Sequence, residues 1–325
     1  MRIATSLLAA AVAAAWLPHA ASAHVGRTLP VATDFTARVT AGVPPLSAKV
    51  VDGDQTLWLH APASVVVRVP GTLGEPLLRF DARGVWLNLR SVTAQADRID
   101  RFDLRPSADP EAAPRWHRLT SGHAYAWHEH RLHALEPLAR GRHTAGVVGR
   151  WSVPLVVGGR PARLEGLLDY RPSGRTWAWI VATAAVALLS GAAALRWPAA
   201  LAGSALVMTA WTWTLRVGRE LYGRPDVATV GWVEVALTCA VGAALVYGLT
   251  RRDEGTRIAT AFFAGFGGVY QGLTMLALLT HAIGLTALPS TVARVGEVLV
   301  LGLAPGVLAT TIFGRLGADA EPEPA

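Results

Sequence analysis

The rhythm of apolar and polar positions changes twice along the chain. Behind Arg2, residues 6–16 form an apolar run, and Ala21-Ser22-Ala23 closes it with the small-x-small pattern of a cleavage site. The run is too short to cross a bilayer comfortably. Residues 1–23 are therefore expected to be a signal peptide, cleaved to leave His24-Val25-Gly26 at the mature terminus. From there to Tyr170 the pattern is one of short strands between turn signals. Residues 56–59 and 64–69 alternate as strands do, and Pro70-Gly71 stops the second. Residues 77–80 and 85–89 flank Asp81-Ala82-Arg83-Gly84 as a hairpin, and 151–157 and 163–170 flank Gly158-Gly159 as another. Residues 105–114 form a Pro/Ala/Asp-rich loop. Many short strands without a helical period predict that residues 24–172 form an all-β sandwich. It is cupredoxin-like or immunoglobulin-like, two classes that periodicity does not separate.

After Pro172-Ser173-Gly174-Arg175, which reads as a linker, the rhythm becomes one of long apolar runs: 176–196, 198–215, 230–250, 258–283 and 292–313. Each approaches the length needed for the hydrocarbon core, so residues 173–315 are expected to form an α-helical transmembrane bundle of about five helices in the lipid bilayer. Trp177, Trp179, Trp197, Trp211, Trp213 and Trp232 fall at or near predicted ends, as an aromatic belt does. With the β domain on the extracytoplasmic side, the loop holding Arg251, Arg252 and Arg257 is cytoplasmic, in line with the positive-inside rule. The tail, 316–325, is then cytoplasmic too. Arg216, Arg219 and Arg224 fall on the outer side and go against the rule.

Composition sharpens this picture in two places. Hydrophobic residues make up 52% of the chain and charged ones 16%, on the membrane side of the globular average. The formal net charge of +7 is carried almost wholly by arginines, scattered rather than striped, which gives no support to nucleic-acid binding. The single cysteine, Cys239, lies in an apolar run. An exported domain without cysteine has no disulfide to hold it and no thiolate for a blue-copper centre. Nucleotide-binding loops, the serine-hydrolase elbow and the helical zinc-protease motif are all missing from the sequence.

The stretch with chemistry is Gly122-His123-Ala124-Tyr125-Ala126-Trp127-His128-Glu129-His130-Arg131-Leu132-His133. On an extended strand alternate residues share a face, so His128 and His130 are expected to point together, with Glu129 and Arg131 as an outward ion pair. Two such imidazoles suit a borderline metal such as copper or zinc. Cleavage after Ala23 would add the α-amine and imidazole of His24, a bidentate grip whose amine loses its proton readily to a metal at neutral pH. This nitrogen-rich set favours copper(II) as the cofactor, with His133 as a further candidate ligand. His60, His117, His123 and His143 read as ordinary surface histidines. In the membrane half, Glu234, His281, Arg294 and Glu297 fall toward the external ends of their segments and are a candidate polar cluster.

The Tyr-x-Trp-His-x-His run (Tyr125, Trp127, His128, His130), with a histidine at the mature terminus, resembles the copper-bearing B subunit of particulate methane and ammonia monooxygenases. That resemblance implies an exported cupredoxin-like domain with copper held by His24, His128 and His130. It covers only these motifs, since that subunit has two helices between two β domains. Leu77-Leu78-Arg79-Phe80-Asp81 and Trp127-His128-Glu129-His130-Arg131 resemble an exported membrane-protein family of high-GC bacteria, which implies no particular activity. The order of leading histidine, β domain and membrane bundle is also similar to copper-resistance proteins, though their methionine-rich sites are missing: Met208 and Met275 are the only methionines after Met1. The expectation is a membrane-anchored copper-binding protein for capture, delivery or tolerance, with other membrane or periplasmic copper proteins as partners. The alternatives are a subunit of a copper-dependent membrane oxygenase and a metal-free structural or sensory module.

Overall fold

The computed structural model describes residues 30–96, 107, 109–133, 144–222, 243, 247, 248 and 254–318. The chain divides into two compact units, one ending at Pro172 and the other beginning at Ser173.

The first unit is a β sandwich. Its strands are β1 (Ala32–Thr33), β2 (Phe35–Ala41), β3 (Ser47–Val51), β4 (Thr56–His60), β5 (Val67–Pro70), β6 (Pro76–Asp81), β7 (Gly84–Asn88), β8 (Trp116–Thr120), β9 (Ala124–His128), β10 (Gly146–Val157) and β11 (Arg160–Tyr170). Seven of them form one sheet in the order β2-β11-β10-β5-β6-β7-β8, and three form another in the order β3-β4-β9. Every pairing within these sheets is antiparallel. Leu57, Leu59 and Trp127 of the small sheet share one buried cluster with Val67, Phe80, Leu87, Val153 and Leu164 of the large one. Alternation puts these side chains on inner faces, and burying such a side chain contributes roughly 1.5–3 kcal/mol.

Turn chemistry explains the hairpins. Gly84 has φ +122°, and a Cβ there would run into the Thr120 carbonyl of the neighbouring strand, so only glycine fits. Gly158 and Gly159 both have positive φ, which lets β10 fold back on β11. The sequence pattern overlooks strands β2, β3 and β8. It also overlooks the single turn of helix α1 (Val92–Ala96). That turn is held by Glu75, which accepts from Ser91 Oγ at 2.7 Å and from the Thr93 amide at 3.0 Å.

The second unit is helical: α2 (Thr176–Arg196), α3 (Pro198–Glu220), α4 (Glu254–Met275), the short α5 (Ala277–Thr280), a two-residue strand β12 (Ile283–Gly284) and α6 (Ser290–Ala318). Helix α6 packs against α2, α3 and α4. Glycines set the closeness of these contacts. A Cβ on Gly302 would strike Val186 of α2, and one on Gly306 would strike Ser190. On α4, Gly268 leaves room for Met208 and Ala304, and Gly272 for Leu301.

Five spans are expected from the apolar runs, whereas two described helices are long and apolar enough to cross a membrane, Thr176–Ala194 and Ser290–Ala309. Helices α3 and α4 lie where 198–215 and 258–283 predict them but are more polar. Thr209, Thr212 and Thr214 of α3 each hydrogen-bond the carbonyl four residues back, and α3 also carries Arg216 and Arg219. On α4, Glu254, Thr256, Arg257, Thr260 and Gln271 break the apolar run. The run predicted over 230–250 lies largely outside the described residues, as do the signal peptide and the acidic end of the tail.

Candidate metal centre

Strand β9 ends at His128 rather than continuing through His130. Glu129 is still extended, with φ −125° and ψ 102°, and caps a 3-10 turn over His130–Leu132. The cause is the Glu129 side chain, which turns into the core instead of outward. It is 1% exposed and accepts from Trp127 Nε1 at 3.0 Å, from the Arg131 amide at 3.2 Å, and from Arg131 Nε and its terminal nitrogen at 2.6 Å each. The ion pair expected to face outward is thus a buried buttress. Arg131 is pinned further by the Pro70 carbonyl at 3.2 Å. With both carboxylate oxygens engaged, Glu129 has no role as partner to a histidine ring.

The 3-10 turn brings three imidazoles together. Ring centroids lie 4.7 Å apart for His128–His130, 4.6 Å for His128–His133 and 5.8 Å for His130–His133. His128 and His133 are half-buried and His130 is exposed. His133 Nε2 is 2.7 Å from His128 Nε2, a hydrogen-bond distance. On the other side of the His133 ring, Nδ1 receives the Gln55 amide nitrogen at 3.0 Å, and the same nitrogen donates to Asp54 Oδ1 at 3.0 Å. An amide nitrogen donates, so Nδ1 accepts, and the neutral His133 ring carries its proton on Nε2, aimed at His128. Asp54 Oδ2 stands 3.6 Å from Nδ1.

Asp54 and Gln55 were not among the expected site residues. They follow Asp52 and Gly53, both with positive φ, in the β3–β4 turn. Strand β4 then pairs with β9 so that Thr56 faces His128, and the Glu129 amide reaches the Gln55 carbonyl at 3.0 Å. An Asp-Gly turn between two strands is the hairpin signal that could have pointed to this loop. The same register puts His60 opposite Ala124, four residues from His128 and about 14 Å along the strands. His60 instead stacks with Trp58, at 6.3 Å between ring centroids. His24 and His143 lie outside the described residues.

Among the described residues, no three His, Cys, Asp or Glu side chains converge as a formed metal site would. The donor chemistry nevertheless fits an imidazole-bound ion. Ligands at about 2.0–2.1 Å from a metal put neighbouring nitrogens about 3 Å apart, so the His128–His133 pair would open by only a few tenths of an ångström. A metal held by both Nε2 atoms would take the place of that hydrogen bond, and a neutral His133 ligand would then carry its proton on Nδ1. With its proton on Nδ1, His133 would find an acceptor in Asp54 Oδ2, 3.6 Å away, or in the Gln55 amide oxygen after the amide flips, as outer partners of metal-bound histidines do.

Of the four ionisable residues expected to cluster in the helical unit, the three described ones share no side-chain hydrogen bond or ion pair. Arg294 donates to the carbonyls of Leu278, His281 and Ala282 at 3.0, 2.7 and 2.8 Å, and its guanidinium lies 5.9 Å from the Trp179 ring centroid. It satisfies the exposed carbonyls that close α5. The His281 ring nitrogen Nδ1 is near Thr280 Oγ1 and the Ala277 carbonyl, so His281 meets Arg294 only through its backbone. Glu297 is fully buried, and neither of its carboxylate oxygens has a hydrogen-bond partner. Glu234 lies outside the described residues.

No family model, curated protein or solved structure matches the chain.

Proposed function

We propose that the chain is a membrane-anchored, extracytoplasmic copper-binding protein for capture, delivery or tolerance of the metal. The observation that carries this reading is the His128–His130–His133 cluster, with His133 oriented by Gln55. Three imidazoles within one short segment suit copper(II), and the amine and imidazole of His24 would complete a nitrogen-only set once the signal peptide is removed. Such a set holds copper without the thiolate or thioether of electron-transfer centres, which favours handling over redox work. The sandwich is read as cupredoxin-like or immunoglobulin-like; the first accompanies histidine-bound copper in the monooxygenase subunit that the motif resembles. Anchoring is supported by the two long apolar helices and by the outward-facing Trp177 and Trp197 at the two ends of α2. A multi-pass arrangement with the sandwich outside and further copper proteins as partners completes the proposal.

The test is titration of the purified full chain with copper(II), followed by electron paramagnetic resonance. One equivalent should give a nitrogen-coordinated signal. Affinity should fall by at least tenfold in His133→Ala and about tenfold in Gln55→Ala, the size expected of an outer partner. An unchanged signal and affinity in the triple variant His128→Ala/His130→Ala/His133→Ala would refute the site. N-terminal sequencing of the same sample decides whether His24 leads the mature chain.

A further inference from the structure

A second site lies in the helical unit and does not depend on the histidine cluster. Glu297 sits on α6, the helix against which α2, α3 and α4 all pack. Its side chain is 0% exposed, and both carboxylate oxygens are without a hydrogen-bond partner. A Cβ added to Gly272 of α4 would touch Leu301 and stand 3.5 Å from Glu297 Oε1. Glycine at 272 therefore leaves open the space that the carboxyl occupies.

Among the described residues, no ionisable group hydrogen-bonds this carboxyl. Arg294, one turn earlier on α6, is committed to three backbone carbonyls and the Trp179 ring. On α3, Arg216 lies over the Trp213 ring and Arg219 makes no hydrogen bond to Glu297. Tyr270 on α4 is exposed, and His281 is engaged with Thr280 and Ala277. A bare carboxylate removed from water without a donor or counter-charge costs several kcal/mol, more than such a fold tolerates. Something must neutralise it, and a proton does so with no further ligand, whereas a hard metal cation needs several oxygens.

We propose that Glu297 is a proton-binding site in the interior of the helical unit, a carboxyl that takes up and gives back one proton. Ionisable groups so placed are those that proton relays use. A copper-handling unit with this site would carry a proton-linked step, but the site stands or falls on its own measurement.

The experiment compares infrared spectra of the full chain in liposomes with those of Glu297→Gln and Glu297→Asp. The wild-type spectrum at pH 7 should contain the carbonyl stretch of an un-ionised carboxylic acid. That band should be completely lost in Glu297→Gln, retained but displaced in Glu297→Asp, and replaced by carboxylate bands as the pH is raised. Circular dichroism verifies that the variants are folded, and the band is read in the wild type whether they are or not. If the wild type at pH 7 shows no acid carbonyl band, the proposal is overturned. A carboxylate band that shifts on adding sodium or calcium would overturn it as well, in favour of a cation site. The spectra are recorded without copper, so loss of the histidine reading leaves this result untouched.

Discussion

The two units treat apolar side chains and buried carboxylates in opposite ways. In the sandwich, Leu57, Leu77, Phe80 and Trp127 are fully buried; in the helical unit Leu188 and Leu189 are 75% and 71% exposed, and Trp177, Phe266 and Leu273 also face outward. The first arrangement is what water enforces, and the second carries no penalty only against an apolar surround. Among the described residues, the units also differ in their most deeply buried glutamates, Glu129 in the sandwich at 1% exposure and Glu297 in the helical unit at 0%. Glu129 receives four hydrogen bonds from Trp127 and Arg131, whereas Glu297 receives none. Both have left water, but only Glu129 has found protein donors in exchange. Burial alone therefore does not tell what a carboxylate does: the first is a structural clamp and the second is a group with an unmet need.

The largest expected effect tests the clamp. Replacing Glu129 by alanine leaves the Arg131 guanidinium uncompensated and should destabilise the sandwich by about 3–5 kcal/mol, read from urea unfolding followed by β-sheet circular dichroism. Glu297→Gln should change the unfolding of the helical signal by no more than about 1 kcal/mol, since a neutral isostere replaces a neutral acid. Comparable losses in the two variants would erase this difference between the two glutamates.

Apolar substitutions sharpen the other half of the comparison. Leu57→Ala removes a side chain from the shared core and should cost about 2–5 kcal/mol. Leu188→Ala, on the outward face of α2, should change stability in detergent by less than about 0.5 kcal/mol and instead weaken retention in liposomes. If Leu188→Ala destabilised as much as Leu57→Ala, that face would be covered by protein rather than lipid.

A smaller effect concerns acid. Burial alone would raise the Glu75 carboxyl, but hydrogen bonds from Ser91, from the backbone and side chain of Thr93, and from nearby backbone outweigh it and hold the group below the ordinary glutamate value of 4.5. A carboxyl depressed in the folded state stabilises fully above that ordinary value, and the contribution is lost as the pH falls through the lower, folded one. Unfolding of the sandwich should thus grow easier below about pH 4.5. Glu75→Gln should be about 1–3 kcal/mol less stable at neutral pH and show a flatter acid limb. An acid limb identical in the two proteins would assign that limb to other carboxylates.

The hairpins β6–β7 and β10–β11 were legible because turn residues with special backbone demands, Gly84 and Gly158-Gly159, stand between alternating segments. Strands β2, β3 and β8 were not, since edge strands are half exposed and alternate weakly. At the histidines, the His-x-His spacing was visible but its backbone was misread. A strand would have carried His128 and His130 on one face. The buried bonds of Glu129 end the strand and turn the chain, and that turn brings His133 to His128. The Gln55 and Asp54 contacts lie 78 and 79 residues from His133, beyond any local pattern. For the helices, apolar runs located α2, α3, α4 and α6 but overstated how many are apolar enough to cross a membrane, because run length ignores the threonines and arginines within.

By itself the sequence determined the local periods: strand alternation before Tyr170, apolar helical runs after Arg175, the turns between them, and a histidine-rich segment at the end of one strand. Tertiary structure alone decided which distant groups meet. It set the 7 + 3 division of strands, placed Gln55 behind His133, gave Glu129 its donors and left Glu297 without any. The physical reason is range. Backbone conformation follows from neighbours a few positions away, whereas the partner of a buried polar group is fixed by pairing register and helix packing between residues far apart in the chain.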